Sequence, residues 1–216
     1  MTSLLLKLIF SKIQEELREK EIVRGEVQTA MRRAIRLSKQ AILFTHQEKL
    51  GEAKKLLKEA NALFNELVKL KKNHLDMFYM GIVDSAFQEY AEAQTLFHLV
   101  EENRFIEPEN LRVPVVSYVL GLADVIGELR RRALDSLRKG DLETAENCLK
   151  TMENIHMEFM SMDEAYMLVP GLRRKSDVAR HIIESTRGDI TIEARRNSLE
   201  KSVKDLEKII TTKKKR

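Results

Sequence analysis

Apolar residues recur every three to four positions along most of the chain, which is the spacing of one face of an α-helix. They predict a long first helix from Leu4 to about Phe44, either continuous or bent near Gly25, followed by a turn around Gly51. The same pattern predicts helices over 52–70, 75–102, 114–140, 141–162 and 173–210, with the polar KKNH stretch before the third and a connection over 103–113.

Residues that begin or end helices lie at the predicted boundaries. Pro114 suits the first turn of a helix, because its missing N–H costs nothing there. Gly140 suits the position just after a helix, and Asp141 can cap the next one. Pro170 and Gly171 interrupt the chain before the last helix, which Gly188 could divide. We therefore predict one all-α domain over 1–216, a six- to seven-helix bundle with a disordered basic tail from about 211.

The charge of the chain is small overall but unevenly placed. The net charge is +4, yet the 44 residues from Arg173 to Arg216 hold 14 Lys and Arg against 7 Asp and Glu. This excess fits a polyanionic partner, although a solvated charged helix has the same composition.

Cysteine content and hydropathy bear on the compartment. The single cysteine, Cys148, excludes a disulfide within the chain and fits a reducing environment. No apolar run approaches the roughly 20 residues of a membrane span. We expect a soluble, cytoplasmic protein that does not bind membranes.

Two acids lie where the third predicted helix should be apolar. At about 100° per residue, Glu89 falls on a stripe with Ala86, Ala93 and Leu96, and Glu92 lies on the adjoining line. A buried ionised carboxylate is costly unless it is paired or bound to a metal. Glu89 and Glu92 are therefore candidate metal-binding or catalytic residues.

The fourth predicted helix repeats this pattern. Asp124 and Glu128 share a line with Gly121, and Gly127 lies beside them. A glycine inside a helix costs about 1 kcal/mol relative to alanine, which suggests the close approach of another backbone or a ligand. Two antiparallel helices could thus gather three or four carboxylates.

Carboxylate oxygens suit Mg²⁺, or alternatively Mn²⁺, and such a metal could activate water at a phosphodiester. The alternative is structural: Glu89 pairs with Arg131 or another arginine, and Asp124 and Glu128 form a polar seam. A ferritin-like di-iron site is disfavoured because no histidine follows these acids at the required spacing. The histidines also lack zinc-hydrolase spacing.

A basic band follows the first helix. It comprises Arg18, Arg32, Arg36 and Lys39, opposite an apolar side formed by Val27 and its neighbours. Such a band can follow a phosphate backbone, although a solvated face is the simpler explanation. With no Trp and 6% aromatic residues, we expect electrostatic binding without sequence preference.

A short apolar stripe lies near the end of the last helix. It comprises Leu199, Val203, Leu206 and Ile210. A stripe of this kind packs either against its own bundle or against a partner subunit, and the sequence does not decide between them.

Several stretches resemble the translin/TRAX family. FQEYAEAQTLFH, beginning at Phe87, resembles the LQEYxEAxxFxH stretch of TRAX, and VSYVLGLADVIGELRR, beginning at Val116, resembles YLLGxADLxGELxR of translin and TRAX. REKEIVRGEVQTAMRRAIRLSKQAIL, from Arg18, is a looser match to the family's basic helix, and RRKSDVARHIIESTRGD, from Arg173, resembles the last helix of translin. Together they cover nearly the whole chain in the family's order.

This resemblance implies an all-α fold and a closed octameric shell with single-stranded RNA, or single-stranded DNA, on its basic inner surface. The positions of Glu89, Glu92 and Asp124 match the metal-dependent ribonuclease site of TRAX, and Glu128 matches an acid beside it. The last helix looks more like translin, and the long TRAX insertion between the two acidic helices is missing. The resemblance therefore implies a TRAX-like endoribonuclease acting as a homo-oligomer, with a silent nucleic-acid-binding shell or a protein scaffold as alternatives.

Overall fold

The computed structural model describes residues 2–70, 80–162 and 165–214, and its regular structure over those residues is entirely α-helical. The long first and last helices confirm the predicted fold class. The helices are α1 (Thr2–His46), α2 (Leu50–Leu70), α3 (Gly81–Glu102), α4 (Pro108–Leu111), α5 (Val115–Arg138), α6 (Leu142–Ser161), α7 (Ala165–Leu168) and α8 (Leu172–Lys214).

The first turn comes earlier than the sequence pattern places it. Helix α1 runs through Gly25 without a break and ends at His46. The turn contains Glu48, which takes a left-handed conformation with φ 60° although it is not a glycine. Gly51, around which the sequence pattern places the turn, lies in the first turn of α2. The KKNH stretch and the predicted start of the third helix at Leu75 lie outside the described residues.

The last helix is longer than predicted. It passes through Gly188 and continues to Lys214, four residues beyond the predicted end at Ile210. No proline or glycine follows Ile210, and the hydroxyls of Thr211 and Thr212 donate to carbonyls four residues earlier, as side chains do within a helix.

Helix boundaries around α5 and α6 follow local chemistry. Gly140 has φ 79°, a conformation that favours glycine after a helix. The Asp141 carboxylate accepts a hydrogen bond from the Thr144 N–H at 3.0 Å, which confirms the predicted cap and lowers the pKa of this carboxyl. Pro114 lies just before α5, and its carbonyl accepts from the Tyr118 N–H at 3.0 Å.

The residues group into two compact units, Met1–Gly121 and Leu122–Arg216, so that the boundary falls inside α5. A single domain over 1–216 stays a prediction. In the first unit α1, α2 and α3 pack against one another. Phe64 stacks on Phe87 with ring centroids 4.6 Å apart and also contacts Tyr90, which joins α2 to α3.

The second unit is held by contacts of α8 with α5 and α6. Arg130 donates to Thr186 at 2.8 Å and pairs with Asp189 at 3.2 Å. Arg187 pairs with Glu153 of α6 at 2.7 Å. Cys148 is buried, and burial raises the pKa of its thiol to about 11, so this thiol stays protonated and unreactive.

Large apolar side chains are exposed at both ends of the chain. One set lies on the first turns of α1, and the stripe of Leu199, Val203, Leu206 and Ile210 is exposed on α8. The set on α1 comprises Leu4, Leu5, Leu6, Leu8, Ile9, Phe10, Ile13, Leu17 and Ile22.

Within the described residues, none of the helices is apolar over a length that would cross a bilayer.

Candidate functional site

The basic band of α1 lies opposite a buried face, as the sequence predicts. Val27 and Ala34 are buried, whereas Arg32, Arg36 and Lys39 are exposed. Arg18 is also exposed, in the part of α1 whose apolar residues are uncovered. The band therefore presents several cations to solvent along one helix.

The two acids of α3 differ in their surroundings. The Glu89 carboxylate pairs with the Lys39 ammonium at 3.2 Å, and its side chain is 26% exposed. Glu92 is buried, with 8% of its surface exposed. The structural alternative predicted an arginine partner such as Arg131, but the ion-pair partner of Glu89 is a lysine of the basic band. The candidate binding surface and one candidate catalytic acid thus meet in the first unit.

A close backbone contact in the first unit explains why a glycine occupies position 121 inside a helix. A Cβ at this position would lie 2.6 Å from the Gln88 carbonyl oxygen and 3.0 Å from the Glu92 nitrogen. The predicted close approach is confirmed here, and the approaching backbone is the part of α3 that carries both acids. For Gly127 the prediction is wrong as regards a backbone, because a Cβ there would find no described atom within 4 Å.

The two glycines therefore make a matched pair for a stability measurement. We expect Gly121→Ala to lower the free energy of unfolding by about 1–3 kcal/mol, because the clash is with rigid backbone. Gly127→Ala has open space and should raise that free energy by about 0.5–1 kcal/mol through helix propensity. Urea denaturation of both variants measures this difference, and equal effects would contradict the packing at Gly121.

The acids of α5 are engaged within the second unit. The Lys175 ammonium donates to the Asp124 carboxylate, and both side chains are 29% exposed. Glu128 lies 4.0 Å from Arg131, three residues further along the same helix. Sequence reasoning missed Lys175, although the Arg-Arg-Lys run at the start of α8 is a visible basic cluster.

Metal-binding capacity rests on the chemistry of these acids. Glu89, Glu92, Asp124 and Glu128 offer hard oxygen donors, and two of them, Glu89 and Asp124, already hold a cationic ammonium group. Within residues 2–70, 80–162 and 165–214, no three His, Cys, Asp or Glu side chains are grouped to hold a metal ion. The predicted multi-carboxylate site therefore stays a prediction.

Comparison with known sequences gives two matches. A sequence model described as the Translin family matches residues 11–210. An uncharacterized protein of Methanocaldococcus jannaschii is 36% identical over 154 residues. That alignment covers 67% of this chain and 60% of the relative, so the match spans less than two thirds of the relative's length.

Solved structures share the fold over most of the chain. The crystal structure of apo-NeC3PO has a TM-score of 0.78 and 26% identity, covering 85% of this chain and 96% of that one. AfC3PO in complex with duplex RNA has a TM-score of 0.78 and 31% identity, covering 87% and 97%. The crystal structure of AfC3PO alone has a TM-score of 0.76 and 33% identity, with the same coverage.

Proposed function

The chain belongs to the Translin family, and from that premise we propose that it is an RNA-binding oligomer that cuts single-stranded RNA with the help of Mg²⁺. The observation that carries this proposal is the ion pair between Lys39 of the basic band and Glu89 of α3. An RNA strand that followed the band would bring a phosphate beside the acids of α3.

The acids and cations have distinct roles in this proposal. Glu89, Glu92 and Asp124 would hold Mg²⁺, or Mn²⁺ in its place, and Glu128 is the fourth catalytic acid. Bound Mg²⁺ supplies water activation and neutralises charge at the scissile phosphate. Lys39, together with the other cations of the band, holds the phosphate backbone near these carboxylates. Lys39 would then exchange its carboxylate partner for a phosphate oxygen.

We propose a homo-octameric shell as the assembly, with the basic bands facing inward. The exposed apolar side chains on the first turns of α1 and on the stripe of α8 support burial against further copies of the chain. Multi-angle light scattering should give eight times the 25.1 kDa chain mass. A stable monomer or dimer at micromolar concentration would contradict the shell.

A catalytically silent RNA- or single-stranded-DNA-binding protein is the second candidate. The ion pair between Asp124 and Lys175 favours it, because a carboxylate paired with lysine needs no metal. The AfC3PO complex contains duplex RNA, so the strand preference of this chain needs a direct comparison.

Cleavage of end-labelled RNA separates these candidates. We expect the purified oligomer to cut single-stranded RNA in Mg²⁺, to cut the matching duplex far more slowly, and to do neither in EDTA. Ca²⁺ serves as a control divalent ion that suits oxygen ligands but tolerates looser geometry than Mg²⁺. RNA binding without cutting in Mg²⁺ or Mn²⁺ would support the silent protein, and absence of RNA binding at low salt would support a protein scaffold.

A further inference from the structure

A cavity of about 430 Å³ lies beside Asp124 within the second unit. Small residues line part of it, namely Ala123, Gly127 and Gly171. A Cβ added at either glycine would find no described atom within 4 Å, so the space beside both is open. The volume lies in the range of sites that bind small ligands. The cavity is therefore large enough for a group of nucleotide size.

The lining combines cations with an apolar wall. Lys175 is already paired with Asp124, so these two charges offset each other, and the exposed Arg174 adds one positive charge. Val178 and Ile182 contribute apolar surface, and Val178 is exposed. An anionic group attached to a less polar body fits this combination. The phosphate and sugar of a nucleotide have that chemistry.

Helix stability does not account for Arg174. It lies in the first turn of α8, where the helix dipole disfavours positive charge, and that turn contains no acid. Its neighbour Arg173 differs, because its guanidinium lies 5.6 Å from the centroid of the Tyr166 ring and makes a cation–π contact with that ring. The two consecutive arginines therefore have different surroundings, and Arg174 lines the cavity.

We propose that this cavity is a subsite for one nucleotide of the RNA strand, next to the bond that is cut, with Arg174 contacting its phosphate. Val178 and Ile182 contact its sugar, and the Asp124 carboxylate lies at the edge of the subsite. This assignment rests on the proposed function, because it requires RNA to pass Asp124.

Arg174→Met and Arg173→Met test the subsite with the same change of charge one residue apart. Fluorescent single-stranded RNA is titrated with the intact oligomer in EDTA, so that binding is measured without cutting. We expect Arg174→Met to weaken RNA affinity about 10-fold and to reduce the slope of log affinity against log salt by about 0.7. Arg173→Met should leave both unchanged. Equal effects of the two variants would overturn the subsite.

A second pair of variants changes the space instead of the charge. Gly127→Val places a side chain in the cavity, whereas Gly188→Val adds the same side chain to an exposed position of α8. We expect only Gly127→Val to weaken RNA binding in EDTA, with both variants folded by circular dichroism. Unchanged binding by a folded Gly127→Val variant would overturn the subsite.

The outcomes also separate this proposal from the proposed function. If the unmodified protein binds no RNA, both fail together. If it binds RNA and Arg174→Met binds as tightly as Arg173→Met, the subsite alone fails and the RNA-binding function stands.

Discussion

Asp124→Asn is expected to lower the rate of RNA cleavage by a factor on the order of 1,000, the scale seen when one electrostatic contact to a transition state is lost. Asparagine keeps the shape of the side chain but removes the charge that would ligate Mg²⁺. Because the Lys175 ammonium is partly exposed, it stays solvated when its partner is neutral. RNA affinity in EDTA should therefore not fall, because the substitution removes a negative charge and leaves the lysine in place.

Asp135→Asn is the matched control for this variant. Asp135 lies on the same helix and pairs with Arg138 at 3.3 Å, so it is also an aspartate in an ion pair. Cleavage by Asp135→Asn should equal that of the unmodified protein. Undiminished cutting by Asp124→Asn, after purification steps that remove contaminating nuclease, would exclude Asp124 from the catalytic set.

The double variant Arg32→Glu with Arg36→Glu is expected to weaken RNA binding at least about 100-fold, since each charge-assisted contact is worth roughly a factor of 10. Loss of two phosphate contacts should also reduce the slope of log affinity against log salt by about 1.4. Both side chains are exposed on α1, so the fold should tolerate the change. Binding of labelled single-stranded RNA over a range of salt concentrations measures both effects.

Lys55→Glu with Lys58→Glu gives the same change of charge on an exposed face of α2. If this control weakens RNA binding as much as the α1 variant, the effect reflects net charge alone. An unchanged salt slope in the α1 variant would show that the basic band is a solvated face that does not contact the RNA phosphates.

Local features of the fold were predictable because they depend on residues near one another in the sequence. The spacing of apolar residues predicts the helices and the exposed side of α1, and Asp141 caps α6 as its residue type predicts. Gly121 was recognisable as a close contact because a glycine inside a helix is otherwise costly. Gly127 has the same local pattern but lies beside open space, which sequence alone cannot reveal.

The partners of the acids were not predictable for a related reason. Periodicity shows which side of a helix a residue occupies, but not which helix lies opposite. Lys39 is 50 residues from Glu89, and Lys175 is 51 residues from Asp124. These pairs depend on tertiary packing, so the acids could be identified while their lysine partners could not.

The location of bound metal tests the central claim most directly. Crystals of the intact protein with Mn²⁺ and a non-cleavable single-stranded RNA would show the metal by its anomalous scattering. We predict one or more Mn²⁺ ions within about 2.2 Å of carboxylate oxygens of Glu89, Glu92 and Asp124, with Lys39 and Lys175 moved away from those acids. Mn²⁺ bound elsewhere, with both lysine–carboxylate pairs intact beside bound RNA, would contradict a metal-dependent nuclease site formed by these residues.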